Sequence, residues 1–191
     1  MMMFSELETA GILSVKTKLY NDFGSLLGMM PNHLQSLIIE KGILTGGCIS
    51  STFHMTSPKD YDVYLADNEA IKQFETMTTI DGTVTRMIAD VNPNYRVHVP
   101  NTNGKLITEN AVTFQNGIQV ITRATAEEAR STFDFIHCMP YLKLKEKQFY
   151  ISREQYDSIK HKRIVPNKKG FLGNILVSRV EKYKERGWTG P

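Results

Sequence analysis

Cysteine is scarce in this chain: Cys48 and Cys138 are the only two among 191 residues. That excludes a disulfide framework and leaves the expectation of reduced thiols in a cytoplasmic protein. No cysteine or histidine pair has the spacing of a structural zinc site, so zinc is not expected. Long apolar runs are missing as well. None approaches the roughly 20 residues needed to cross a bilayer. The three leading methionines run straight into Glu6 and Glu8, without the basic segment that opens a secretory signal. Low-complexity tracts and internal repeats are absent, so the chain reads as an ordinary globular protein.

A strong net charge is also lacking: the balance is +3. Its distribution is uneven, however. Residues 1–139 carry 10 Lys+Arg against 15 Asp+Glu, and residues 140–191 carry 13 against 5. A basic tail beside an acidic half suits contact with a polyanion such as RNA or DNA. A lysine-rich solvated surface would give the same counts. The aromatics Phe149, Tyr150, Tyr156 and Phe171, set among lysines and arginines, likewise fit base stacking or core packing.

Apolar spacing predicts one or two helices within residues 4–30, a helix from Pro31 to Lys41 capped by Gly42, and a short strand at Ile43–Thr45. A short helix over Ile49–Met55 and a strand over Asp60–Ala66 follow. An amphipathic helix is expected at Asn68–Thr79, a short strand or helix at 81–90 and a loop at 92–104. Asn116-Gly117 marks a hairpin between 106–114 and 118–123, because this dipeptide tolerates positive φ at both turn positions. A helical turn at 126–131, strands at 132–138 and 148–151, and helices at 153–160 and 171–186 complete the reading. At 191 residues one well-buried domain is expected, of α+β class with an α/β-type mixed sheet.

The chemistry concentrates between residues 44 and 65. Gly46 and Gly47 follow a short strand, with hydroxyls at Ser50 and Ser51. Asp60 and Asp62 then flank one tyrosine on a strand. Carboxylates at i and i+2 share a face and repel each other unless a cation lies between them. Oxygen ligands of this kind suit Mg²⁺. A glycine turn opening a helix offers backbone N–H groups to phosphate. Asp134, between two phenylalanines on an expected strand, is the candidate third carboxylate; the same alternation would also suit a solvent-facing aspartate. His137 would face away from it. Lys59 reads as a surface lysine.

The run Gly46-Gly47-Cys48-Ile49-Ser50, followed by Asp60-Tyr61-Asp62 on a strand and Asp134 on a later one, resembles the nucleotidyltransferase superfamily typified by DNA polymerase β and the CCA-adding enzymes. The stretches TFDFIHC and VEKYKERGW resemble small nucleotidyltransferase-like proteins of tailed phages. The resemblance implies a polymerase-β-like core over residues 1–140, with helices packed on the sheet. A basic, mainly helical extension would follow at 141–191. It implies that Asp60, Asp62 and Asp134 hold Mg²⁺, or Mn²⁺. Gly46, Gly47, Ser50 and Ser51 would meet the triphosphate of an NTP such as ATP. The implied reaction moves a nucleoside monophosphate to a hydroxyl, foremost an RNA 3′ end, in the host cytoplasm if the protein is phage-encoded. Cys48 stands where the family often has serine, and Ser50-Ser51 where many CCA-adding relatives have Arg-Asp. A catalytically inactive nucleotide-binding or regulatory module of the same fold, and a nucleic-acid-binding phage protein, are the alternatives.

Overall fold

The computed structural model describes residues 3–78, 97–98, 106–107, 111–114, 116–167 and 173–190, with the backbone alone for 97–98, 106–107 and 173–176. Helices α1 (Glu6–Leu27) and α2 (Asn32–Lys41) lead into strand β1 (Gly42–Thr45), helix α3 (Gly47–Phe53), strand β2 (Tyr61–Leu65) and helix α4 (Asn68–Thr78). Strands β3 (Val97–His98), β4 (Leu106–Ile107), β5 (Ala111–Thr113) and β6 (Ile118–Ile121) come next, then helix α5 (Ala126–Ser131) and a 3-10 turn at Ile136–Cys138. Strands β7 (Tyr141–Lys143) and β8 (Gln148–Tyr150) and helices α6 (Arg153–Lys160) and α7 (Gly173–Glu185) finish the chain. The class is α+β. The eight strands form one mixed sheet in the order β3-β4-β5-β6-β2-β1-β7-β8. Among the described strands, β2 and β6 pair in parallel and the other neighbours antiparallel.

Strand alternation divides the two faces. Leu44, Val63, Leu65, Ile118, Val120 and Leu142 point to the side where α1, α2 and α4 pack, and there they meet Leu19, Phe23, Leu34, Ile38 and Phe74 in the main core. Ile43, Tyr64, Ala111 and Ile121 point the other way, under Ala126 and Ala129 of α5. A third cluster, built on Phe135, Ile159, Tyr183 and Trp188, joins α6 and α7 to the 3-10 turn. Each large side chain so buried contributes about 1.5–3 kcal/mol.

The N-terminal segment forms one unbroken helix, started by a capping box in which Ser5 and Glu8 satisfy each other's backbone donors. The strand expected over 106–114 is two short ones, β4 and β5, paired with each other. The Asn116-Gly117 turn does form, but positive φ is taken by Gly117 (+93°) and not by Asn116. It joins β5 to β6, and the Asn116 Oδ1 accepts from the Ile118 N–H. The expected loop over 92–104 contains β3, and the element expected at 81–90 lies outside the described residues. The strand expected over 132–138 does not form. Phe135 makes a single bridge with Pro166, two backbone hydrogen bonds tie 134–136 to 165–167, and the chain then tightens into the 3-10 turn. Phe135 and His137 sink into one aromatic cluster with Tyr183 and Trp188, and it is the 3-10 turn at Ile136–Cys138 that breaks the strand. The two strands after residue 140 extend the sheet directly, β7 lying against β1.

Candidate active site

The glycine turn sits at the C-terminal end of β1. Gly46 adopts φ +91° and ψ −153°, a conformation open in practice only to glycine. That geometry turns the chain out of the sheet and into α3. A side chain at Gly46 would have its Cβ 3.5 Å from the Asp62 Oδ2, an ordinary contact, so it is the backbone conformation that demands glycine, and the turn and the carboxylate are neighbours. A Cβ at Gly47 would meet nothing within 4 Å, so that side of the turn faces open space.

β2 runs antiparallel to β1 with Leu44 opposite Val63. One further step in that register sets Thr45 beside Asp62. The acidic pair therefore enters the sheet where the glycine turn leaves it. Asp60 is exposed, just ahead of β2, and Asp62 is half-buried within it. Ser50 is buried, and its hydroxyl donates to the Gly47 carbonyl at 3.2 Å. Ser51 is half-buried.

The Asp134 segment is fastened to the same end of the sheet. The Gly46 N–H donates to the Cys138 carbonyl at 3.2 Å. The buried Thr45 hydroxyl donates to the carbonyls of Cys138 and Pro140 at 3.1 and 2.8 Å. Asp134 itself forms an ion pair with Arg179 of α7, its carboxylate mostly covered while the guanidinium stays half-exposed. Arg179 and Thr45 escaped the sequence reading: a lone arginine on an amphipathic helix and a strand threonine carry no signal of their own.

The electrostatics tie these groups together. Burial, with the Asp62 carboxylate nearby, pushes the Cys48 thiol well up. Burial also pushes Cys138 up to about 11, and both Asp134 and Asp62 add to the rise. The two carboxylates thus share one neighbourhood, and both thiols stay protonated and unreactive. Burial lowers His137 to about 3, and neither ring nitrogen has a hydrogen-bond partner among the described residues. The neutral ring stacks on Phe135 and packs against Trp188 and Tyr183.

Two adjacent carboxylates beside an open glycine turn fit a Mg²⁺ that keeps water and phosphate in its remaining positions. The three-carboxylate set does not fit one ion in this arrangement. Among the described residues no three His, Cys, Asp or Glu side chains gather closely enough, and Asp134 is engaged by Arg179.

Comparison with known proteins agrees with the fold and adds a family. A model of the Gabija anti-defense 2 family, Gad2, matches residues 17–162. The chain belongs to that family. The matched span takes in the glycine turn, all three aspartates and every strand, and leaves out α7 with Arg179. Among solved structures, this family member is similar to a Thermotoga maritima CCA-adding enzyme complexed with tRNA, at TM-score 0.50 and 14% identity over 87% of this chain and 41% of that one. A CCA-adding enzyme in complex with CTP gives the same score and identity, over 87% and 42% of the two chains. The chain therefore spans under half the length of these enzymes, and at this identity the likeness is one of fold. No curated protein matches the sequence.

Proposed function

We propose that this Gabija anti-defense family protein acts as a Mg²⁺- or Mn²⁺-dependent nucleotidyltransferase. It transfers a nucleoside monophosphate from an NTP, ATP among them, to a hydroxyl, with an RNA 3′ end as the favoured acceptor. One observation carries the reading: the glycine-only turn at Gly46 lies 3.5 Å, measured from the Cβ position, from the Asp62 carboxylate at the ends of two paired strands. Open backbone beside this carboxylate supports reading the turn as the triphosphate site and Asp60 with Asp62 as the place of its cation.

Asp60 and Asp62 would hold the ion, which would supply charge neutralisation on the phosphates. Gly46 and Gly47 let the triphosphate come close to the backbone at the start of α3. Ser51 would offer its hydroxyl; the Ser50 hydroxyl must first leave the Gly47 carbonyl. Asp134, once released from Arg179, would accept the proton of the attacking hydroxyl. The new O–P bond then forms at the α-phosphate as pyrophosphate leaves, and the protein's contribution is alignment and preorganised charge.

The ion pair at Asp134 favours one second reading, a nucleotide-binding module that has kept the fold without catalysis. The test is transfer of label from each α-³²P NTP to pooled RNA and to the protein itself, with an Asp60→Ala/Asp62→Ala control. Label that needs both aspartates supports the enzyme. NTP binding without label in any fraction supports the module.

A further inference from the structure

One row of residues crosses the sheet at the end where the glycine turn lies. Tyr150 of β8 pairs with Tyr141 of β7, and Tyr141 pairs with Thr45 of β1. Thr45 in turn stands beside Asp62 of β2 in the β1–β2 register. Residues directly opposite one another in a ladder point to the same face. The two tyrosines therefore share the face of the Asp62 side chain, away from the main core. Alternation sends their neighbour Phe149 to the other side, where it packs against that core. Tyr156 is buried too. Tyr141 and Tyr150 are thus the tail aromatics that the strand register puts on the site's face, with Tyr150 at the sheet edge.

The tyrosines are stacked, with ring centroids 4.6 Å apart and planes inclined by 13°. The Arg130 guanidinium of α5 lies 3.6 Å from the Tyr141 ring centre. Two groups that close cannot occupy one side of a ring, so Tyr141 is sandwiched between Arg130 and Tyr150. The Arg130 Nε is buried with no hydrogen-bond partner among the described residues, and the guanidinium lies over the ring. Tyr150 stands on the edge strand with its outer side away from Tyr141, and the Lys143 ammonium is 5.5 Å from its ring centre. A flat, π-rich surface rimmed by cations, on an edge strand, is what an unpaired nucleobase and its phosphate recognise.

We infer that Tyr150, backed by Tyr141 and Arg130 and flanked by Lys143, is a stacking platform for an unpaired base of a single-stranded nucleic acid. The inference rests on the nucleotidyltransferase reading and identifies how the acceptor strand is held. Strands lie about 4.8 Å apart, so Tyr150 is about 14 Å from Asp62 across three strand spacings. A short stretch of single strand covers that distance. A base stacked on Tyr150 would leave a 3′ end free to approach Asp62. Stacking does not read the sugar, so RNA and DNA single strands share the chemistry that the platform takes.

The test is fluorescence anisotropy of labelled single-stranded RNA and DNA of mixed sequence, in EDTA and without NTP, so that binding is read apart from transfer. Tyr150→Leu, which keeps apolar volume but removes the π face, should weaken binding about 5- to 100-fold. Tyr150→Phe should bind as the wild type does, and this rescue separates stacking from packing. Lys143→Ala should weaken binding and make it less dependent on salt. A preference for RNA over DNA would identify the source of the strand. Equal binding of the Tyr150→Leu and wild-type proteins, or no binding of either strand, would overturn the platform. Tyr150-dependent binding without transfer would thus remove the enzyme and keep the platform, and transfer indifferent to Tyr150→Leu would do the reverse.

Discussion

The two halves of the candidate site hold carboxylates in opposite conditions. In the β1–α3–β2 half, Asp60 is exposed and Asp62 half-buried, beside a turn whose second glycine faces open space. In the 132–140 half, Asp134 is mostly covered and engaged by Arg179, from a helix some 45 residues further along the chain. The first half is positioned by local backbone geometry and one strand pair. The second is positioned by docking of the C-terminal helix on an aromatic cluster. A group placed by its own strand is set by residues close in sequence, whereas one placed by a distant ion pair depends on a helix far along the chain.

Breaking the β1–α3–β2 half should have the largest effect. Asp62→Ala is expected to lower label transfer by about 100-fold or more while leaving the thermal midpoint unchanged or slightly raised, since carboxylate crowding is relieved. Transfer at the wild-type rate would remove Asp62 from the site. Next comes Gly46→Ala, which forces a side chain into a glycine-only conformation and should cost about 1–3 kcal/mol in denaturant unfolding, together with lost transfer. Gly47→Ala, with open space around its Cβ, should leave unfolding alone. If it too abolishes transfer, the open space is where the triphosphate lies.

On the other half, the neutral His137 makes stability depend on pH. Its pKa is lowered from 6.5 to about 3 by burial. The unfolded chain takes up a proton near pH 6.5 and the folded protein does not until pH 3. Stability is therefore at its full value above pH 6.5 and falls as the pH drops towards 3, by up to about 1.4 kcal/mol per pH unit. Unfolding curves of wild type and His137→Phe at pH 7 and pH 5 should diverge, with the variant losing less on acidification. The smallest effect belongs to the ion pair itself. Arg179 is 45% exposed, so a double-mutant cycle of Arg179→Ala with Asp134→Asn should give a coupling of only about 1 kcal/mol. The informative readout is transfer. If Arg179→Ala raises it while Asp134→Asn abolishes it, the two halves become alike once the arginine is gone.

The β1–α3–β2 half was legible in the sequence because its signals are local. A glycine pair between a strand and a short helix, and two aspartates on an alternating run, fix both conformation and facing within about 20 residues. The α+β class and the Asn116-Gly117 turn were legible for the same reason. The Asp134 segment was misread as a strand because its alternation of Phe133, Phe135 and His137 mimics one. What decides its shape is a tertiary cluster with Tyr183 and Trp188, and nothing local announces that. β7 was missed because three residues, Tyr141-Leu142-Lys143, are too few to show a period. Their pairing with β1 therefore hid the tyrosine row as well.

That pairing also sets an order of events during synthesis. β1 needs β2, about 20 residues away, on one side and β7, about 100 residues away, on the other, since Thr45 pairs with Tyr141. The Gly46 N–H finds its partner only when Cys138 arrives. Contacts of such long sequence separation form late and slow folding. A chain emerging from the ribosome carries the glycine turn, Asp60 and Asp62 long before it can complete their support. At the usual 5–20 residues per second, that interval lasts about 5–20 seconds. Throughout it the free edge of β1 is open to pairing with another chain, so the same strand that organises the site is the point at which the unfinished protein is most exposed to misassembly.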